Sequence, residues 1–251
     1  MNTPIFKFEN GYGTIKLDNP GLHNALRVRD IDEIILKLEE WKKVKDLRAL
    51  IITGNGESFC SGMFIEDLEK KNWQQNPVKR VCDSIESFSG VTICALNGSA
   101  YGAGVELAAS CDFRVAHTKI LIGIPAASLG IHYEPSGINR VLNLFGPRET
   151  RKIFLLDEKL NYKCLKNTSF IDYWVDDPSL VFRRALGITK KVSELSPLAV
   201  QGMKRSIVKI LNNRENNTGT IDKFSSSLNS ADHLEALRAL RERRKAKFKE
   251  Q

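Results

Sequence analysis

The sequence predicts an α/β protein that ends in a helical subdomain. Strand-like and helix-like segments alternate along the first half of the 251-residue chain. Two apolar strand-like runs lead into glycine-containing turns, and each turn leads into a helix-like segment. From about Ser193 onward the pattern is helical. We therefore expect an α/β core over residues 1–192 and a helical subdomain over residues 193–251.

The N-terminal elements are predicted as a hairpin, a helix and a strand. Ile5–Phe8 and Gly13–Leu17 flank the turn Glu9–Gly11, and this order favours two paired antiparallel strands. Ile31–Trp41 places apolar side chains at helical spacing on one face. Leu47–Thr53 is an apolar run that stops at a glycine-rich turn, which is typical of a buried strand.

The middle of the chain repeats this alternation. Val78–Phe88 is predicted as an amphipathic helix, and Val91–Leu96 as a buried strand. A glycine-rich turn follows, and then a helix of small residues over Val105–Ser110. Phe113–Ala116 and Ile120–Ile122 are predicted as short strands. These elements favour an α/β fold over an all-helical or all-strand one.

The C-terminal part is predicted to consist of helices. Pro197 favours a helix start, because proline suits the first helical position. Leu234–Phe248 is predicted as one long, charged helix. The run Arg238–Lys249 is rich in arginine and lysine, which suits either a solvated helix face or a surface that contacts phosphates.

The composition is that of a globular protein, with 42% hydrophobic and 27% charged residues. No apolar run approaches the ~18 residues of a membrane span, and the N-terminus resembles neither a signal nor a transit segment. We therefore expect a cytosolic protein without a membrane partner. The five cysteines form no C-x-x-C pair, which favours reduced thiols and no metal site. The net charge of +8 permits an anionic small molecule or a nucleic acid.

Two glycine turns are the features most informative about function. Asn97–Leu107 joins a strand to a helix start, where free backbone N–H groups face the positive end of a helix dipole. Glu57–Ile65 forms a second turn of the same kind. Two such turns can point two N–H groups at one oxygen that becomes negative during a reaction, which is an oxyanion hole. Glu106, just inside the helix that the Asn97–Leu107 turn opens, is a carboxylate placed next to that hole.

Other glycine motifs do not fit. Gly102-Ala103-Gly104 begins like a dinucleotide-binding fingerprint, but Leu107 stands where the third glycine belongs. No Gly-Lys-Ser/Thr follows the turn, which excludes a P-loop, and no G-x-S-x-G nucleophile elbow is present.

Several motifs in order resemble the crotonase, or enoyl-CoA hydratase/isomerase, superfamily, nearly from end to end of the chain. The matching segments are Leu17-Asp18-Asn19-Pro20, Asn24-Ala25-Leu26, Phe59-Cys60-Ser61-Gly62, Asn97–Asp112, Ile124–Gly130, Ser196–Val200 with Lys204, and Lys245–Phe248. The resemblance implies a spiral of ββα units that assembles as a homotrimer or a dimer of trimers. It also implies an acyl-CoA substrate and no cofactor besides the coenzyme A of that substrate.

The resemblance further implies roles for named residues. The oxyanion donors would be the backbone N–H groups of Met63 and Ala103. The basic C-terminal run would contact coenzyme A, across a subunit boundary. The residues assigned to coenzyme A binding are Leu22, Arg243, Lys245 and Phe248.

The carboxylates depart from the hydratase pattern. Glu106 resembles the first of the two hydratase glutamates, but Ala126 occupies the place of the second, and alanine cannot transfer a proton. Glu134 lies where dienoyl-CoA isomerases of the superfamily have their second acid. Tyr133 resembles a tyrosine of the decarboxylase branch, although Met63 replaces the histidine of that branch. We expect Tyr133 and Ala126 to line the substrate pocket.

Three hypotheses follow. The first is an enzyme that isomerises or hydrates an enoyl-CoA with Glu106 as the main acid/base and Glu134 as its partner; decarboxylation and thioester hydrolysis stay open. The second is an RNA-binding homologue, which the charge permits but no basic motif with interleaved aromatic residues supports, so a nucleic-acid partner is not expected. The third is a catalytically silent homologue, which the loss of the acid at Ala126 allows.

Overall fold

The structure is a computed structural model that describes residues 2–70, 75–212 and 230–248. The strands are β1 (Ile5–Glu9), β2 (Tyr12–Leu17), β3 (Ala49–Gly54), β4 (Ser58–Cys60), β5 (Val91–Leu96), β6 (Ser99–Tyr101), β7 (Phe113–His117), β8 (Ile122–Gly123) and β9 (Tyr173–Val175). The α-helices are α1 (Val28–Trp41), α2 (Ile65–Lys70), α3 (Pro77–Glu86), α4 (Ala103–Ala109), α5 (Pro135–Leu155), α6 (Tyr162–Leu165), α7 (Ser179–Ser193), α8 (Pro197–Leu211) and α9 (Ala231–Arg241). The predicted α/β class is confirmed.

The strands form two sheets. The larger has six strands in the order β1-β2-β3-β5-β7-β9, and the smaller has three in the order β4-β6-β8. Among the strands of the described ranges, β1 and β2 pair antiparallel, as the predicted hairpin, and the other neighbouring strands pair in parallel. The chain therefore repeats one unit, in which a strand enters the large sheet, a strand enters the small sheet, and a helix follows. This repeat is the spiral of ββα units that the resemblance implies.

The core lies on both faces of the large sheet. Strands β3 and β5 are buried along their whole length, as expected for parallel strands covered on both sides. Helices α1, α3 and α4 enclose one core with the strands. Helix α7 packs on the other face, against β3, β5 and β7. The small sheet ends at the turns that carry the candidate site.

Capping explains where two helices begin. The carboxylate of Asp30 accepts a hydrogen bond from the Arg27 backbone N–H, so α1 starts at Val28, three residues before the predicted start at Ile31. Asn76 caps α3 by accepting from the Val78 N–H at 3.0 Å. Pro197 begins α8, as predicted.

The prediction of one helix over residues 234–248 is wrong. Helix α9 begins at Ala231 and ends at Arg241, and Arg243 has a left-handed φ of 52°. The Arg244 guanidinium folds back onto the carboxylate of Glu235 at 2.6 Å, which the turn makes possible. The division into domains at residue 193 stays a prediction. In the part of the chain described, no helix combines the length and the apolar character that crossing a membrane requires.

Candidate active site

A cavity of about 890 Å³ opens beside the two glycine turns. Six residues that the sequence singled out line it: Met63, Ala103, Glu106, Ala126, Tyr133 and Glu134. Much of the remaining wall is apolar and comes from Ile65, Leu68, Val78, Ile124, Leu129 and Ile131. The cavity therefore combines a small polar end with an apolar wall, which is typical of sites for small organic ligands.

The first turn leaves β4 at Cys60 and is held by the segment before α1. Leu26 N–H donates to Gly62 O and Phe64 N–H donates to Leu26 O, both at 2.8 Å. Gly62 has φ of 104°, a conformation that side chains disfavour. The Met63 N–H lies between these two fixed residues and donates no hydrogen bond to any described residue.

The second turn approaches the first closely. Gly102, with φ of 50°, precedes α4, and its N–H donates to Gly123 O at 2.9 Å. A Cβ built on Gly62 would lie 3.1 Å from Tyr101 O and 3.6 Å from Ala103 N. The Ala103 N–H, like that of Met63, has no acceptor within the described ranges. The two turns thus bring two unpaired backbone donors to one end of the cavity, where they can stabilise negative charge on an oxygen.

Glu106 lies on α4, three residues after Ala103. Its side chain is 3% exposed, and Arg140 Nη1 donates to its Oε1 at 2.8 Å. Burial raises the pKa of Glu106, and Arg140 and then Tyr133 act in the opposite direction. A carboxylate with a raised pKa is a stronger base than an exposed one, which suits proton transfer.

Arg140, on α5, is a residue of the site that the sequence reasoning missed. Besides Glu106 it binds Glu86 of α3, from Nε to Oε1 at 2.7 Å, and Asp83, also on α3. Asn212, at the end of α8, donates to Glu86 Oε2 at 3.3 Å. One buried guanidinium therefore holds three carboxylates, and one of the three lines the cavity.

Tyr133 lies beside Glu106, in the segment before α5. A Cβ built on Gly137 would lie 2.6 Å from Tyr133 Cε1 and 2.7 Å from Glu106 Oε2, so both groups pack against this glycine. Burial, followed by the charge of Glu106, raises the pKa of Tyr133 well above its usual value. The hydroxyl consequently stays protonated near neutral pH and can act as a hydrogen-bond donor in the cavity.

The other predicted pocket residues also reach the cavity. Ala126 is buried and presents only a methyl group. Glu134 immediately precedes α5, is half-buried, and its carboxylate is hydrogen-bonded to none of the described residues. Its charge contributes to raising the pKa of Glu106, so the two acids are electrostatic neighbours. The catalytic roles of Glu106 and Glu134 stay predictions.

None of the residues predicted to bind coenzyme A lines this cavity. Leu22 is in a short 3₁₀ turn, where its carbonyl accepts from Ser61 Oγ at 3.2 Å. Arg243 is exposed, and Lys245 pairs with Glu194 at the end of α7 at 2.8 Å. Phe248 is half-buried. Within one chain these residues do not line the cavity, and their role stays a prediction.

The fold and the cavity define a ββα-spiral protein with a carboxylate and two free N–H groups in one pocket. A sequence model of the enoyl-CoA hydratase/isomerase family matches residues 7–251. The 2,3-dehydroadipyl-CoA hydratase of Escherichia coli K12 is 27% identical and covers 77% of this chain and 76% of its own. The short-chain-enoyl-CoA hydratase of Clostridium acetobutylicum is 26% identical, covering 82% and 81%.

Solved structures agree on the fold. The enoyl-CoA hydratase of Bacillus anthracis superimposes with a TM-score of 0.88 over 100% of both chains, at 23% identity. The chain described here belongs to the enoyl-CoA hydratase/isomerase family, within the crotonase superfamily, and is an enzyme of that family.

Proposed function

We propose that this enzyme isomerises an enoyl-CoA, moving a carbon–carbon double bond along the acyl chain through a thioester enolate. The observation that carries the proposal is the placement of the acids. Glu106 and Glu134 line one cavity with the free N–H groups of Met63 and Ala103, while the second hydratase position is the methyl group of Ala126.

The chemistry of isomerisation suits this set of groups. A carboxylate removes a proton from a carbon of the acyl chain, and the electrons move through the double bond onto the thioester oxygen. The two N–H groups stabilise that oxygen as it becomes negative. The proton returns to a different carbon, so the reaction balances without water or another reactant. Hydration would also need a group that activates water, and Ala126 cannot do this.

Decarboxylation of a malonyl-type CoA is a second candidate, because Tyr133 brings a neutral hydroxyl to the cavity. Loss of CO₂ leaves an enolate, which the same two N–H groups would stabilise. The Tyr133 hydroxyl could then donate a proton to the enolate carbon. No carboxylate is required for the bond-breaking step, so this reaction depends less on Glu134.

Turnover of enoyl-, dienoyl- and malonyl-type CoA thioesters by purified protein, without added cofactor, tests these candidates. For an isomerase we expect Glu106→Gln to lower kcat by about 10²- to 10⁴-fold, the usual contribution of a positioned acid/base, and Glu134→Gln to lower it also. Glu69→Gln is the matched control, because Glu69 lines the same cavity but is exposed. Full activity of Glu106→Gln would make that residue structural and reject the mechanism.

The panel also separates the candidates from each other. Turnover of a malonyl-type thioester that survives Glu134→Gln would favour decarboxylation. Absence of turnover together with salt-sensitive RNA binding would favour the nucleic-acid hypothesis. Against the latter, Arg244 and Lys245 of the basic C-terminal run are already paired with Glu235 and Glu194.

We also propose that the protein is a cytosolic homotrimer or dimer of trimers that associates through its C-terminal helices. Met203, Ile207 and Ile210 of α8 lie on one helical face and are 60%, 56% and 65% exposed in the single chain. An apolar stripe of this kind is typical of a subunit interface. Light scattering coupled to size-exclusion chromatography measures the mass, and a monomer at micromolar concentration would contradict the proposal.

A further inference from the structure

Arg140 is the positively charged side chain in contact with Glu106. Two parts of the chain place titratable groups against the Glu106–Arg140 pair. Tyr133 and Glu134 come from the segment before α5, and Cys82, Asp83 and Glu86 come from α3. Burial raises the pKa of the Cys82 thiol well above its usual value, so this group stays neutral. Lys79 of α3 pairs with Asp83 at the partly exposed edge of this set, and Arg140 is the cation that contacts Glu106 itself.

The contact divides the two oxygens of Glu106 between two environments. Arg140 Nη1 binds Oε1 at 2.8 Å. Oε2 lies on the opposite side, against Gly137 and next to the Tyr133 ring. Since Glu106 also lines the cavity, the orientation of its carboxylate depends on the ion pair with Arg140 together with the hydrogen bond to Tyr133.

Arg140 is itself rigidly held. Its Nε and Nη2 are occupied by Glu86 and Asp83, and its side chain is 4% exposed. A bidentate guanidinium anchored in this way has little freedom to follow a moving carboxylate, so it can set the position of the carboxylate.

We propose that Arg140 is a positioning residue for the reaction: it fixes Oε1 of Glu106 and directs Oε2 to the Tyr133 side of the cavity. This inference rests on the proposed function only in that Glu106 takes part in proton transfer. It applies to the double-bond shift, in which Glu106 transfers the proton, and not to a decarboxylation in which the Tyr133 hydroxyl donates it.

The test compares Arg140→Gln and Arg140→Lys with Arg114→Gln. Arg114 is an equally buried arginine that pairs with Asp172 and contacts backbone carbonyls, away from the cavity. For Arg140→Gln we expect kcat to fall by about 10²-fold, the effect of misplacing a reacting group by ~1 Å, with little change in KM. The acidic limb of the kcat profile should move to higher pH, because the strongest influence that lowers the pKa of Glu106 is lost. Arg140→Lys, which keeps the charge, should lie between Arg140→Gln and the wild type.

Arg114→Gln should be less stable than the wild type. Under conditions where circular dichroism shows that it is folded, it should keep the wild-type kcat and the wild-type acidic limb of the kcat profile. If Arg140→Gln has the wild-type pH limb, or if Arg114→Gln loses as much kcat, Arg140 is structural and the inference is wrong.

A second measurement does not depend on turnover, so a wrong assignment of the reaction can be told apart from a wrong role for Arg140. Because the folded pKa of Glu106 is raised, the folded state binds this proton more tightly, and stability falls as pH rises from the unfolded value of about 4.5 towards the folded one. Glu106→Gln should lack this dependence. In the Arg140→Lys variant the fall in stability should extend to higher pH than in the wild type. An unchanged pH dependence of stability in that variant would overturn the inference even if Arg140→Gln fails to fold.

Discussion

Two buried arginines of this protein have the same exposure and opposite surroundings. The side chains of Arg114 and Arg140 are each 4% exposed. Arg114 binds one carboxylate, that of Asp172, and the backbone carbonyls of Phe170 and Cys111. Arg140 binds only carboxylates, three of them.

The difference separates a structural site from a candidate active site. Carbonyl groups belong to the backbone, so the Arg114 cluster ties the start of β7 to the segment before β9 and stabilises the fold. The Arg140 cluster brings three carboxylates to one guanidinium beside a cavity, and Lys79 pairs only with the outer one, Asp83. Interacting charged groups of this kind are frequent at functional sites. Burial and hydrogen bonding alone do not distinguish the two clusters, whereas the chemistry of the acceptors does.

The largest effect expected from this comparison is on stability and its pH dependence. Replacing Arg140 by methionine leaves the buried carboxylate of Glu106 without its cation and should destabilise the fold by about 3–5 kcal/mol, whereas Arg114→Met should cost less. Without Arg140, the pKa of Glu106 rises further, so the folded state gains affinity for a proton and stability is lost as pH increases. Arg114→Met leaves Asp172, whose side chain is 28% exposed and can be solvated by water.

Urea unfolding at several pH values measures this difference. We expect the midpoint for Arg140→Met, relative to wild type, to drop more at pH 8 than near the ordinary glutamate pKa of about 4.5, and that for Arg114→Met to drop equally at both. If the urea midpoints of the two variants depended on pH in the same way, the loss of Arg140 would not have raised the pKa of Glu106. The distinction between the two clusters would then fail.

Much of the candidate site follows from local sequence. The two turns are short strand–glycine–helix units, so Gly62 and Gly102 predict where unpaired N–H groups occur. Glu106 follows from its position in the second unit, and Ala126 and Glu134 from the resemblance. These residues lie around one cavity because parallel strands β4 and β6 end side by side.

Arg140 could not be found in the same way, because its partners are distant in sequence. Asp83 and Glu86 precede it by more than fifty residues and reach it only because α3 packs on α4 and α4 packs on α5. A signal did exist. The residues Gly137, Arg140, Val141, Leu144 and Phe145 share one face of α5, and an arginine on an otherwise apolar face needs a buried acid.

The end of the chain shows the opposite failure. A charged segment with good helix formers predicts a helix through Phe248, yet α9 stops at Arg241. Helical propensity is a weak preference, and side-chain contacts such as Arg244 with Glu235 override it. In both places the sequence does not reveal which distant side chain an arginine will bind.

The smallest expected effect concerns the space beside Glu106. Gly137→Ala adds one methyl group that would meet Tyr133 Cε1 at 2.6 Å and Glu106 Oε2 at 2.7 Å, so one of these groups must move while the Arg140 contact at Oε1 remains. We expect kcat to fall about 10-fold, equivalent to ~1.4 kcal/mol of transition-state stabilisation. Gly187→Ala on α7 is the matched control, since a methyl group there meets nothing within 4 Å. That control should gain ~0.5–1 kcal/mol of stability from helical propensity and keep its kcat. If Gly137→Ala behaved as the control does, the position of Oε2 would not matter to the reaction, and the Arg140 cluster would differ from the Arg114 cluster in charge alone.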